Sequence, residues 1–223
     1  MKIRIGSRTS KLALKQVEIA MKRIGAPSFE IIGVDTAGEK ISRENKVQFD
    51  KKNFVEDIDN LIVDKKIDIA IHSAKDMPAV SNISDLDEIY ISNDLVQNNE
   101  KYNSRNDILI FRKNEHPVFK KNMKIGTSSL RRRLQLLATF PSFEYLDLRG
   151  NVDTRLHKLN SGEYDAIVLA VSGLHRLGLS RRITERISTD LCLPAAGQGA
   201  IGIECRSDDS TVRELIAPLN DKC

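Results

Sequence analysis

Alternating apolar and polar positions open the chain, and residues 2–7 read as a strand with Ile3 and Ile5 on one face. The period then changes. Leu14, Val17, Met21 and Ile24 recur at the three- and four-residue spacing of an amphipathic helix, which Gly25 and Pro27 terminate. Residues 29–34 form a second strand. Residues 39–53 are charged and carry no hydrophobic period, and a loop of that length in a compact domain usually serves function or moves. A second helix begins near Phe54 and repeats through Ile58, Leu61 and Ile62. Short apolar strands follow over 67–71 and 88–92, and the polar, asparagine-rich residues 93–105 read as a crossing between lobes.

Beyond that crossing the same order of elements returns. Ile5-Gly6-Ser7-Arg8-Thr9-Ser10 ahead of one helix is echoed by Ile125-Gly126-Thr127-Ser128-Ser129 ahead of another. Residues 32–38 find a counterpart in 145–150, and 66–71 in 164–169. Three echoes in one order point to duplicated α/β lobes. Strand-like residues 199–205 and a helix over 210–219 come after the second lobe and are expected to return to the first, which makes a second crossing near 189–198. The expected fold is therefore α/β, with two similar lobes around a hinged cleft. Domain 1 would hold residues 1–97 plus 197–223, and domain 2 residues 98–196.

The most informative stretch is Gly126-Thr127-Ser128-Ser129-Leu130-Arg131-Arg132-Arg133. A strand end, a glycine, three hydroxyl residues and a helix start would aim unpaired N–H groups at one spot, where the helix dipole favours an anion. Arginines in a first helical turn work against that dipole, so they call for a partner. Two readings stand side by side: a cradle for a carboxylate or phosphate, and a Ser-capped surface helix with solvated arginines. Strand ends and helix starts would aim Arg8, Ser10, Lys75, Asp76, Ser128, Ser129, Arg131, Arg132, Arg149, Arg155 and Arg176 at the cleft. One carboxylate among many cations suits a ligand with several carboxylates, because the guanidinium fork binds them bidentately. Asp76 follows a buried strand, sits beside Lys75 and precedes Pro78, which stiffens the turn. Its natural work is to stabilise a developing cation and to shuttle a proton.

Composition narrows the partners. The 223 residues carry 35 Lys and Arg against 31 Asp and Glu, a net +4 that a small acidic ligand explains as well as nucleic acid would. Aromatic residues make up 5%, too few for a base-stacking platform, so nucleic-acid binding is not expected. No apolar run approaches membrane-spanning length and no signal-peptide core precedes the first strand, which leads to the expectation of a cytoplasmic protein. Cys192, Cys205 and Cys223 are odd in number and lack metal-type spacing, and the histidines are scattered, so neither disulfides nor a metal site is expected. The lack of a Ser/His/Asp order or a phosphate-binding loop argues against hydrolase and kinase chemistry.

Six motifs together resemble the porphobilinogen deaminase family of tetrapyrrole and heme biosynthesis, also called hydroxymethylbilane synthases. They are Gly6-Ser7-Arg8-Thr9-Ser10-Lys11-Leu12-Ala13-Leu14, Asp68-Ile69-Ala70-Ile71-His72-Ser73-Ala74-Lys75-Asp76-Met77-Pro78 and Gly126-Thr127-Ser128-Ser129-Leu130-Arg131-Arg132. The others are Leu148-Arg149-Gly150-Asn151-Val152-Asp153-Thr154-Arg155-Leu156, Ala170-Val171-Ser172-Gly173-Leu174-His175-Arg176-Leu177-Gly178 and Leu193-Pro194-Ala195-Ala196-Gly197-Gln198-Gly199-Ala200. The resemblance implies a fold like that of type II periplasmic binding proteins. It also implies a transferase that joins four porphobilinogen units with loss of ammonia to give hydroxymethylbilane, built on a covalently bound dipyrromethane cofactor. By motif, Asp76 would be the catalytic carboxylate. Ser73, Lys75, Thr127, Ser128, Ser129, Arg131 and Arg132 would hold the cofactor. Arg8, Ser10, Arg149, Arg155 and Arg176 would hold the substrate, with Gln198 at the hinge. A monomer acting on a small molecule is implied, with neither nucleic acid nor membrane as partner.

Three departures from the family pattern stand out. Phe49-Asp50-Lys51-Lys52-Asn53-Phe54 replaces a glycine-rich loop, and Lys11 stands where the family usually has proline. The family's third domain, with the cofactor cysteine in a Leu-Glu-Gly-Gly-Cys motif, has no counterpart before the sequence ends at Cys223. The attachment point of the cofactor is left unknown: Cys223 lacks the motif and is not the expected one. The alternative function is a non-catalytic two-lobed binder of polycarboxylate or other anionic ligands, which would keep the arginines and have no need of Asp76, or an inactive fragment of the enzyme.

Overall fold

The computed structural model describes residues 2–25, 28–35, 55–78, 86–91, 105–112 and 119–220. The 39–53 loop, most of the 93–105 crossing and Cys223 lie outside them. The chain forms two compact units, Met1–Asn98 with Gly199–Cys223, and Asn99–Gln198. In chain order the strands are β1 (Ile3–Arg8), β2 (Phe29–Val34), β3 (Ile69–Ser73), β4 (Leu86–Ile91), β5 (Asp107–Phe111), β6 (Lys124–Gly126), β7 (Glu144–Leu146), β8 (Ala166–Ala170), β9 (Glu185–Arg186) and β10 (Ile201–Arg206). The helices are α1 (Lys11–Ile24), α2 (Glu56–Val63), α3 (Leu130–Thr139), α4 (Val152–Asn160), α5 (Val171–Arg176) and α6 (Ser210–Ile216).

Each unit holds one five-stranded sheet, in the orders β2-β1-β3-β10-β4 and β7-β6-β8-β5-β9. The two orders are the same pattern. In each, a central strand pairs in parallel with both neighbours: β1 with β2 and β3, β6 with β7 and β8. A strand from the far side of a crossing then adds antiparallel, β10 onto β3 and β5 onto β8. The sequence echoes thus correspond to equivalent strands, Ile5-Gly6 in β1 and Ile125-Gly126 in β6.

Strand alternation divides each core into two faces. In the first unit Ile3, Ile5, Ile69, Ile71, Ile201, Ile203 and Cys205 meet Val17 and Met21 of α1 and Val212 and Ile216 of α6. On the other face Ala70 joins Ile67 against Ile58 and Ile62 of α2. In the second unit Ile108, Ile110, Ile167 and Leu169 lie under Leu156 and Leu159, while Leu109, Phe111, Ala166 and Val168 cover Leu136 and Tyr145. All these residues are at most 8% exposed, and burial at this level supplies the main stabilising term of both units.

Several element boundaries differ from the sequence expectation, and two of the shifts have a visible cause. The strand expected at 67–71 is β3, Ile69–Ser73, because the amides of Lys66 and Ile67 bond Leu61 O and finish the end of α2. The helix expected over 210–219 is regular only to Ile216, and Ala217–Leu219 tightens into a 3-10 turn at Pro218.

Candidate active site

In the first unit the site is built at the carboxyl ends of two neighbouring parallel strands. β1 delivers Arg8, and β3 runs directly into a single 3-10 turn, Ala74–Asp76. Ala74 N donates to Ala200 O at 3.1 Å and Met77 N to Ala74 O at 3.2 Å, so the turn is tied at both ends. Arg8 Nη1 then lies 3.8 Å from Asp76 Oδ2, an ion pair in which the Asp76 side chain remains 37% exposed. Two other expected site residues serve the fold. Ser10 caps α1 by accepting from Ala13 N, and Ser73 Oγ accepts from Gln16 Nε2 at 2.7 Å. Lys75 is half-buried beside Asp76.

Strand β3 also carries a polar cluster that the sequence spacing did not reveal. His72 Nε2 stands 3.0 Å from Glu204 Oε2 and 3.6 Å from Asp59 Oδ1, and the three residues are 2–7% exposed. Register places His72 opposite Gly202 and Glu204 opposite Ala70, so small residues leave room for the pair on the α2 face. The cluster links α2, β3 and β10, and its His72 lies two residues before the turn that bears Asp76.

In the second unit the hydroxyls of the Gly126–Arg133 stretch hold its turn in shape. Thr127 Oγ1 accepts from Ser129 N, and Ser129 Oγ caps α3 by accepting from Arg132 N. Ser128 Oγ both donates to Leu148 O and accepts from Leu148 N, at 2.9 Å each. Arg131 and Arg132 have a protein partner, Asp107, the first residue of β5 and fully buried. Arg132 Nη2 donates to Asp107 Oδ1 at 2.5 Å and Arg131 Nη2 to Oδ2 at 2.7 Å. Gln198 Nε2 donates to Oδ1 at 2.9 Å and to Arg105 O at 2.6 Å. Arg132 Nη1 reaches Val168 O, and Arg131 Nη1 reaches Leu193 O.

Burial alone would push the Asp107 carboxyl up; the Arg132 charge and the hydrogen bonds from Arg132, Arg131 and Gln198 outweigh it and hold the group below the ordinary carboxylate range. A carboxyl depressed in the folded state adds stability above its unfolded value, and that stability is lost as pH falls through the folded value. Asp107→Asn should therefore lose roughly 3 kcal/mol at neutral pH, and urea unfolding across pH 2–7 should show a flatter acid limb. An unchanged acid limb would mean Asp107 is not its source.

The remaining arginines are distributed along the second unit. Arg155 Nε donates to Gly150 O at 2.6 Å, which brings α4 onto the loop bearing Arg149. Arg149 Nη2 is 3.6 Å from Asp147 Oδ2. Arg176, at the end of α5, is pushed down to about 10 by burial and stays a cation at neutral pH.

The family model described as porphobilinogen deaminase, dipyromethane cofactor binding domain, matches residues 3–214. The chain belongs to the porphobilinogen deaminase family. A porphobilinogen deaminase of Geobacillus sp. (strain WCH70) is 43% identical over 227 residues, spanning 99% of this chain and 70% of that protein. One of Legionella pneumophila (strain Paris) is 40% identical, spanning 98% and 70%. Among solved structures, the second substrate binding domain of a putative amino acid ABC transporter from Streptococcus pneumoniae aligns with a TM-score of 0.54 at 13% identity, over 99% of this chain and 90% of that one. A putative methionine-binding lipoprotein of Bacillus subtilis gives 0.52 at 11%, over 98% and 89%. At such identities the likeness is one of fold, and it is the two-lobed periplasmic-binding-protein type expected from the sequence.

The residues present suit the cofactor that names this family's domain. Arg132 Nε is buried with no acceptor among the described residues, and the Arg131 side chain is 28% exposed. A carboxylate-bearing ligand would satisfy such donors. Two cysteines are poorly placed for its thioether. Cys192 and Cys205 are fully buried; burial raises the first thiol and pushes the second up to about 11. Thiol labelling of the native chain should leave both unmodified until denaturant is added, as read by peptide mass. Rapid labelling of either would contradict the burial.

What the sequence missed is Asp107. Its partners Arg131 and Arg132 lie 24 and 25 positions further on, and Gln198 lies 91 positions away. The one available signal was an acidic residue at the head of Asp107-Ile108-Leu109-Ile110-Phe111, an otherwise apolar and fully buried strand.

Proposed function

We propose that the chain carries out porphobilinogen deaminase chemistry, that of a transferase which couples four porphobilinogen units head to tail with loss of ammonia. The observation that carries this reading is the accessible Asp76 carboxylate held 3.8 Å from Arg8 on a turn fastened at both ends. As the C–N bond of the substrate aminomethyl group breaks and ammonia leaves with the electron pair, positive charge develops on the pyrrole. Asp76 offsets that charge and holds the pyrrole N–H proton, a role for which a fixed anion is worth more than a mobile one. Arg8, Ser10, Arg149, Arg155 and Arg176 bind the substrate's acetate and propionate groups, with Gln198 fixing the second crossing. Ser73, Lys75, Thr127, Ser128, Ser129, Arg131 and Arg132 hold the dipyrromethane, which supplies the free pyrrole carbon to which the first unit is joined.

Ser10, Ser73, Ser128 and Ser129 contribute chiefly through the local structure their hydroxyls hold, since each already has a hydrogen-bond partner in the protein. The same reading has the chain working as a cytoplasmic monomer on a small molecule; among the described residues no helix is long and apolar enough to cross a membrane. Intact mass before and after exposure to porphobilinogen, together with released ammonia, tests the proposal. Added pyrrole units and stoichiometric ammonia are expected. An unmodified mass with no ammonia would leave an anion binder in place of the enzyme.

A further inference from the structure

Arg131 and Arg132 sit in the first turn of α3, where the helix dipole disfavours cations. Asp107 answers both from within the same unit. Its two oxygens accept four donors: Arg132 and Gln198 on Oδ1, Arg131 and the Cys192 thiol on Oδ2, the last at 3.7 Å. An ionised carboxylate has about four acceptor sites, so the group is saturated. Each guanidinium is meanwhile held at two points, Arg132 by Asp107 and Val168 O, Arg131 by Asp107 and Leu193 O. Two-point attachment fixes the plane of a guanidinium, and in these two the contacts run through the Nη atoms. The Arg132 Nε–H is left without an acceptor among the described residues.

We infer that Asp107 is a positioning residue for carboxylate recognition, an internal anion that locks the planes of Arg131 and Arg132 so that their remaining N–H groups are set for a ligand carboxylate. The inference rests on the proposed function, since it takes the ligand's acetate and propionate groups as what these arginines bind. It makes a prediction that charge alone would not. If Asp107 merely neutralised a cation, removing its charge would strengthen anion binding. If it positions the fork, removing it weakens binding, because the guanidiniums must then be ordered by the ligand.

Two variants separate the possibilities: Asp107→Asn keeps the shape and deletes the charge, whereas Asp107→Glu keeps the charge and moves the oxygens by one methylene. Both are made in an Asp76→Ala chain, and the dissociation constant of a free dipyrromethane bearing acetate and propionate groups, the ligand these two arginines are taken to hold, is read by calorimetry alongside the melting temperature. Positioning predicts affinity at least about tenfold weaker in both variants, given the worth of charge-assisted hydrogen bonds. Tighter binding by Asp107→Asn, or unchanged binding by both folded variants whatever their melting temperatures, overturns the inference and leaves the functional reading intact. If only one variant folds at the assay temperature, its affinity decides. Failure of both to fold also overturns it, since Asp107 would then be a determinant of the fold. Failure of the Asp76→Ala chain with Asp107 intact to bind that dipyrromethane would instead overturn the functional reading, and this inference with it.

Discussion

The Asp76→Ala chain should fold normally and release ammonia from porphobilinogen about a thousandfold more slowly, or not at all. Little of the fold depends on this side chain. It is 37% exposed and its ion pair with Arg8 spans 3.8 Å without hydrogen-bond contact, so solvent screening leaves it worth at most about 1 kcal/mol of stability. The turn itself is held by backbone bonds from Ala74 and Met77, which the substitution leaves in place. Its effect should therefore fall on the chemical step. Asp76→Glu should recover only part of the rate, because one methylene displaces the carboxylate from a turn that has no slack. Ammonia release by Asp76→Ala at the wild-type rate would remove Asp76 from the mechanism and favour a reading in which the arginines alone matter.

Gly6→Val should cost roughly 3 kcal/mol or more of stability, measured by urea unfolding of the purified chain. Gly6 lies in the middle of β1 between β2 and β3, and a Cβ there would overlap Ile67 Cδ1 and come within 2.8 Å of Ile58 Cγ2. Both neighbours are fully buried, so neither can swing into solvent to make room. The cost should reach function too, because β1 ends in Arg8. Gly126 holds the equivalent place in β6, where a Cβ would meet Tyr164, Ile167 and Leu148 at 2.9–3.1 Å. A valine at Gly6 without loss of stability would show that α2 can retreat, and that the glycine is not required by packing.

Much of this was legible before any coordinates. The change from a period of two to one of three or four marked β1 and α1, and Gly25, with φ 68°, ends the helix as the residue type suggests. The echo of Ile5-Gly6 in Ile125-Gly126 anticipated two sheets with the same strand order, since a repeated order of apolar segments tends to bury itself in the same way. The strand end bearing Asp76 was legible because a short apolar run followed by polar residues and a proline leaves few other structures open. Less visible was the insertion of β10 beside β3 and of β5 beside β8, because antiparallel pairing across a crossing leaves no local mark.

By itself the sequence determined the class of the fold, the duplicated units, the family and the residue types of the site, all of which depend on local period and on motifs contiguous in the chain. Tertiary structure alone decided what those residues touch. The arginines that a sequence reader assigns to a ligand are already gripped by Asp107, the hydroxyls meant for an anion hold the turns in shape, and His72 of β3 stands beside Glu204 and Asp59. Each of these partnerships joins groups distant along the chain. Burial makes them obligatory, because a charge taken out of water must find its partner inside the fold, and only the completed packing of strands and helices determines which partner that is.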